Sequence, residues 1–182
     1  MKKILQKEEK VLRKIAAIVP PGEIKTPKIK KILKEMSESL KSQGDGVAIA
    51  APQIGYSLQI FVVSGKIFEK NFLENKQEKL LKKDTSSEVK EEYKDLVFVN
   101  PEISKLSRNK EWMPEGCLSV RPLYGKTYRS KKATVSAYDE DGKKFTRGAS
   151  GLLAQIFQHE TDHLRGILFI DHAKDVKEEK LN

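Results

Sequence analysis

One cysteine, one tryptophan and three histidines stand among 182 residues, and aromatic residues make up 7% of the chain. The lone cysteine, Cys117, excludes an internal disulfide and suits a reducing compartment, which leaves a single thiol to be explained. No apolar run approaches the ~18 residues that a bilayer span requires, so the expected location is cytoplasmic, with no membrane partner. Met1 to Pro20 is basic but contains Glu8 and Glu9 and no serine, unlike a transit peptide, and its apolar pieces are too short for a signal-peptide core. Internal repeats and low-complexity tracts are also missing. The chain does have 38% hydrophobic and 34% charged residues and a net charge of +9. That composition folds, and the length suits one domain over residues 1–182.

The positive excess is uneven. Lys66 to Asp95 carries eight lysines and eight acids, so it adds nothing net and reads as a charged, solvent-exposed insertion, expected to act as a flap near a cleft. Arg121, Lys126, Arg129, Lys131 and Lys132 occur with no acid among them, and Met1 to Lys41 is lysine-rich. These segments read either as solvated faces or as a basic surface for nucleic acid, although no zinc-finger or RNA-recognition signature accompanies them.

Ile29, Ile32, Leu33, Met36 and Leu40 recur at helical spacing and predict an amphipathic helix over Lys28 to Gln43, closed by Gly44. Leu58 to Val63 and Leu96 to Val99 are short β-branched runs that read as strands. Ala133 to Tyr138 and Lys143 to Arg147 flank a turn at Asp139 to Gly142 and predict a hairpin. Ser150 is placed to cap a helix running to about Leu164, and residues 173–182 read as a charged, fraying tail. Helices and strands alternate without βαβ regularity. The predicted class is therefore α+β, with mixed or antiparallel sheets packed around a C-terminal helix.

That helix carries His159-Glu-Thr-Asp-His163. Four residues advance a helix by about 400°, so the two imidazoles stand one above the other and can clasp one metal ion. Glu160 projects about 100° from His159, within reach of a metal-bound water without ligating the metal. Leu152, Ile156, His159 and His163 form one line of the helix, and Leu153, Phe157, Glu160 and Leu164 the next, so both histidines face the core side. Zinc peptidases with this pattern recruit a third ligand downstream. Here only His172, Glu178 and Glu179 follow, all in polar surroundings, and His172 reads as an exposed residue without a role. Cys117, in the turn Pro114-Glu-Gly-Cys-Leu-Ser119, is the better third ligand, and its soft thiolate admits Fe(II) as well as Zn(II). A further segment, Gly44 to Gly55, is rich in small residues that let a peptide backbone approach closely, and Gln53 offers a neutral amide donor for an oxyanion.

Together, Gly46 to Gln53, Glu115 to Ser119 and Gln158 to Leu164 resemble, in order, the three signatures of the peptide deformylase family. The likeness extends from Ile4-Leu-Gln6 through Val99-Asn-Pro-Glu-Ile103 to Gly166 to Asp171. It implies removal of the formyl group from N-formylmethionine of nascent polypeptides by an enzyme with one divalent ion, Fe(II) in the first instance and Zn(II), Ni(II) or Co(II) as substitutes. The resemblance makes Cys117, His159 and His163 the metal ligands and Glu160 the general base. It makes Gln53 and the Leu118 N–H the oxyanion donors, with a substrate cleft at Gly46, Val47, Ala48, Gly116, Leu152, Gln155 and Ile156. A monomer that associates transiently with the ribosome through its basic surface is also expected. The chain departs from the family pattern at Ala48, where glycine is customary, at Glu9-Lys10 in place of Asp-Pro, and at Gln155, which predicts a polar wall in the methionine pocket. An HExxH enzyme that cuts internal peptide bonds and an RNA-binding protein with a structural metal are the rival readings.

Overall fold

The computed structural model describes residues 1–69 and 93–178. Eight strands and two helices appear among them: α1 (Pro27–Lys41), β1 (Ala48–Ala50), β2 (Ile60–Val63), β3 (Leu96–Leu106), β4 (Lys110–Gly116), β5 (Leu123–Ser130), β6 (Lys132–Tyr138), β7 (Lys144–Ser150), α2 (Gly151–Leu164) and β8 (Lys174–Glu178). Five strands form an antiparallel sheet in the order β1-β2-β3-β6-β7, and β4-β5-β8 form a second one. This is the expected α+β class, with helix α2 packed on the larger sheet.

The larger sheet is buried on both faces where it matters. Ile49, Ile60, Val62 and Val99 point into a core shared with Ile29, Ile32, Leu33, Met36 and Leu40 of α1. The alternating residues Ala48, Ala50, Phe61, Val63 and Phe98 point the other way, against Ala154, Ile156 and Phe157 of α2. The period of two along each strand sorts neighbours onto opposite faces, so β1 and β2 read as continuous apolar runs. Phe61 and Phe98 are fully buried and stacked with centroids 4.5 Å apart, each burial stabilising by about 2–3 kcal/mol. This dry layer fixes α2. A third cluster, with Leu12, Val120, Leu168 and Phe169, surrounds Cys117.

Several boundaries differ from expectation. Helix α1 ends at Lys41 and is capped by Ser42, whose N–H returns to the Glu38 carbonyl, before the chain reaches Gly44. At its start, Thr26 Oγ1 accepts from the Ile29 N–H at 3.5 Å and Pro27 takes the first turn. Strand β2 begins at Ile60, not Leu58. Strand β3 does not stop at Val99 but continues through Asn100-Pro101 to Leu106, with a register shift between Val99 and Glu102. Asn100 adopts φ 50°, and its amide bonds both the N–H and the carbonyl of Val19, so side-chain hydrogen bonds hold the irregular turn in the strand. The hairpin forms as expected, with the Asp139 carboxylate accepting from the N–H groups of Asp141 and Lys143. Ser150 does precede α2, but its side chain makes no capping bond, because the residue is the last of β7, paired with Lys132, and Gly151 at φ 58° turns strand into helix.

The expected fraying tail is corrected over Lys174–Glu178, which pair with β5 as β8, while residues 179–182 lie outside the described residues. All five residues are exposed, and the pairing is made by backbone groups that need no apolar side chain. Most of the charged insertion, and with it the expected flap, lies outside the described residues.

Candidate active site

Helix α2 presents Leu152, Gln155, Ile156, His159 and Glu160 to a cavity of about 450 Å³. The opposite walls come from Asp45 to Ala48, Gln53, and the strand end Pro114 to Leu118 with Arg121 and Tyr124. The seven residues named for a substrate cleft line this cavity, together with Gln53, Leu118 and Glu160. The ligand atoms of Cys117 and His159, which line the cavity, and of His163 lie within 4.8 Å of one another, with Cys117 Sγ 3.2 Å from His163 Nε2. Donors bonded to one tetrahedral ion at 2.0–2.3 Å stand about 3.5 Å apart, so the set fits a metal with small contraction. Burial pushes the His163 imidazole well below its ordinary value, toward the neutral form that ligates. His159 is shifted the other way: against desolvation, its hydrogen bonds to Cys117 and Glu115 favour the protonated ring.

Glu160 is buried, and its Oε2 has no hydrogen-bond partner among the described residues. Burial raises its carboxyl to about 7, a shift opposed by His159 and helped by Glu115. Such a group is poised for proton transfer in both directions. Gln53 is held by its Oε1, which accepts from the Ala50 N–H at 2.8 Å, while its Nε2 donates to Ser119 Oγ at 3.0 Å and faces Cys117 Sγ at 3.6 Å. The Gln6 side chain donates to the Leu118 carbonyl at 3.1 Å. That bond orients the adjoining peptide, whose Leu118 N–H has no acceptor among the described residues. Gly116 is needed where it stands, because a Cβ there would meet the Tyr124 ring at 2.4 Å.

A buried network behind the donors went unread in the sequence. Glu115 Oε1 accepts from His159 Nδ1 at 2.7 Å and from Arg129 Nη2 at 2.7 Å; its Oε2 accepts from Thr127 Oγ1 at 2.6 Å and Arg129 Nε at 3.1 Å. Arg129 Nη1 continues to Asp162 Oδ2 at 2.6 Å. Burial alone would raise the Glu115 carboxyl, but His159 and Arg129 hold it well below the usual carboxylate range. The carboxylate fixes His159 with Nε2 toward the other donors. Arg129 belongs in sequence to the basic run Arg121 to Lys132, yet it is buried. Its position two residues from Thr127, alternating with exposed Lys126 and Tyr128, is the strand signal that separates it from that run. The run itself is largely neutralised: Arg121 pairs with Asp45, Lys126 with Asp175 and Lys131 with Glu111. His172 is exposed as expected, with its Nε2 3.5 Å from Asp162. The amide nitrogen of Gln155 is tied to the Pro114 carbonyl at 2.8 Å and to Glu115 at 3.1 Å, so this polar side chain of the wall is already paired.

The polypeptide deformylase family model matches residues 1–179. Peptide deformylase 2 of Clostridium acetobutylicum is 37% identical over 171 residues, 94% of each chain. The peptide deformylase of Borreliella burgdorferi is 38% identical over 154 residues, 85% of this chain and 78% of its own. Among solved structures, a Legionella pneumophila peptide deformylase superposes with a TM-score of 0.76 at 33% identity, covering 96% of this chain and 87% of that one. A Synechococcus elongatus peptide deformylase in complex with actinonin gives 0.74 at 29% identity, covering 96% and 79%. The chain belongs to the peptide deformylase family and is a hydrolase of the N-terminal formyl group.

Proposed function

We propose that one divalent metal ion, Fe(II) in the first instance, is held by Cys117 Sγ and the Nε2 atoms of His159 and His163, and that the substrate is N-formylmethionine at the start of nascent polypeptides. Zn(II), Ni(II) or Co(II) would suit the same donors. The observation that carries this reading is the convergence of three donor atoms within 4.8 Å beside the buried Glu160 carboxylate, whose Oε2 has no hydrogen-bond partner among the described residues. A bound ion supplies a Lewis acid that activates water at neutral pH and polarises the formyl carbonyl. Glu160 takes a proton from the attacking water and passes it to the leaving amine. The Leu118 N–H donates to the developing oxyanion, joined by the Gln53 amide hydrogen that faces Cys117, each donor contributing about 3 kcal/mol to the transition state. Strand β1 is the edge of its sheet, so an extended peptide can add beside Gly46 to Ala48 and meet Gly116 on the other wall. Leu152 and Ile156 offer apolar surface to the methionine side chain.

The enzyme is read as a cytoplasmic monomer working beside the ribosome. With Arg121, Lys126, Arg129 and Lys131 paired to acids, the lysines of the N-terminal region carry that association. Among the described residues no helix is long and apolar enough to cross a membrane.

The test is formate release from a formyl-Met peptide by protein prepared without oxygen and loaded with Fe(II) or Ni(II), with no acetate from the acetyl analogue. Equal release of both acids, or of neither, contradicts the reading.

A further inference from the structure

We propose that the outer face of the three-stranded sheet, centred on Trp112 and Tyr128, is a docking track for the segment of substrate polypeptide that lies beyond the cavity. The proposal rests on the deformylase reading above. Its basis is the register of β4 and β5, in which Gly116 faces Tyr124, Pro114 faces Lys126 and Trp112 faces Tyr128 in successive rows. Met113 and Glu115 between them are buried, so Trp112, Pro114 and Gly116 share the other face. Gly116, Tyr124 and Pro114 line the cavity. The next row, roughly 7 Å further along the strand, is the Trp112–Tyr128 pair, which makes this face a continuation of the cavity wall.

The pair is exposed, 44% for Trp112 and 53% for Tyr128, with ring centroids 5.3 Å apart. Lys174 Nζ lies 4.8 Å from the Trp112 ring centre and Lys110 Nζ 5.9 Å from that of Tyr128. Lys126 stands in the row between, and Asp175, 3.4 Å from it, is the acid paired with it. Large rings with amphipathic edges are the residues that anchor protein contacts, and ammonium groups beside them attract carboxylates. A cavity of about 450 Å³ holds a ligand of a few residues, whereas a nascent polypeptide must leave it. The track therefore suits an extended segment with aromatic or acidic side chains. Basic and aromatic groups together also suit single-stranded RNA, but continuity with the cavity favours the substrate itself.

The test compares a formyl-Met tripeptide with a formyl-Met decapeptide bearing Phe and Asp in its second half, on the full metal-loaded chain. The decapeptide is expected to have kcat/KM higher by about fivefold or more, through a lower KM. The double variant Trp112→Ala, Tyr128→Ala is expected to reduce that gain to less than about twofold and leave the tripeptide unaffected. Trp112 is the sole tryptophan, so its fluorescence reports binding of the unformylated decapeptide without turnover, and a saturable shift is expected. Equal kcat/KM for the two wild-type substrates, a gain that survives the double substitution, an equal loss on both, or a silent fluorescence titration overturns the proposal. So does a single-stranded RNA oligonucleotide that shifts the fluorescence when the decapeptide does not. Absence of formate from the tripeptide removes the deformylase reading, while the fluorescence titration still decides the track.

Discussion

Over β1, β2 and the first part of β3 to Val99 the five-stranded sheet is packed on both faces, with Phe61 and Phe98 stacked on the face that meets α2. The three-stranded sheet is wet on its outer face, and the inner-facing residues beside Met113 are Glu115, Thr127 and Arg129, joined by hydrogen bonds. Each supports part of one site: the first holds the helix that carries His159 and His163, and the second leads directly into the turn with Cys117. Apolar packing is indifferent to charge, whereas a buried ion pair fails when either member is removed. The donors on the helix and the carboxylate that aims one of them thus depend on different physics, and substitutions can separate the two.

The sharpest break is Glu115→Leu, which strips His159 of its acceptor and leaves Arg129 with Asp162 alone. Metal affinity should fall by about 100-fold and the unfolding free energy by about 3–5 kcal/mol, read by metal titration and urea denaturation. Arg129→Met keeps the bond between Glu115 and His159, so affinity should drop only about tenfold, although stability falls by roughly 3 kcal/mol. Phe61→Leu, in the dry sheet, should cost about 1–2 kcal/mol of stability with affinity changed less than about twofold. An equal loss of affinity in Phe61→Leu and Glu115→Leu would erase the distinction between the sheets.

The smallest effect is expected outside both. Arg13 and Leu168 hold the Asp171 carboxyl below its ordinary value against partial burial. Because the folded value is depressed, its stabilisation is present above the unfolded value and fades as pH falls through the folded one. The denaturation midpoints of wild type and Asp171→Asn should differ slightly at neutral pH and converge below roughly pH 4.

The same contrast explains what was legible. Helix α1, the hairpin and α2 carry periodic apolar residues that pack where their spacing places them, and the three motifs converge because each is local in sequence. Strand β8 was invisible because its five exposed residues carry no apolar pattern, and β3 was cut short at Asn100-Pro101 because the side-chain bonds to Val19 that hold the turn span 81 residues. Arg129 and Asp162 escaped notice for a related reason. An arginine among lysines reads as surface until tertiary structure brings Glu115 to it, and Asp162, within the HExxH motif on α2, is paired with Arg129 of β5.

Under the proposed function, Cys117, His159 and His163 hold a single ion on which formyl hydrolysis depends. Elemental analysis of protein purified without oxygen, set beside formate release from the same samples and from Cys117→Ala, tests it directly. The account predicts one metal per chain, activity in proportion to occupancy, and both lost in Cys117→Ala with the fold retained. Undiminished formate release by metal-free protein, or by Cys117→Ala, would contradict it.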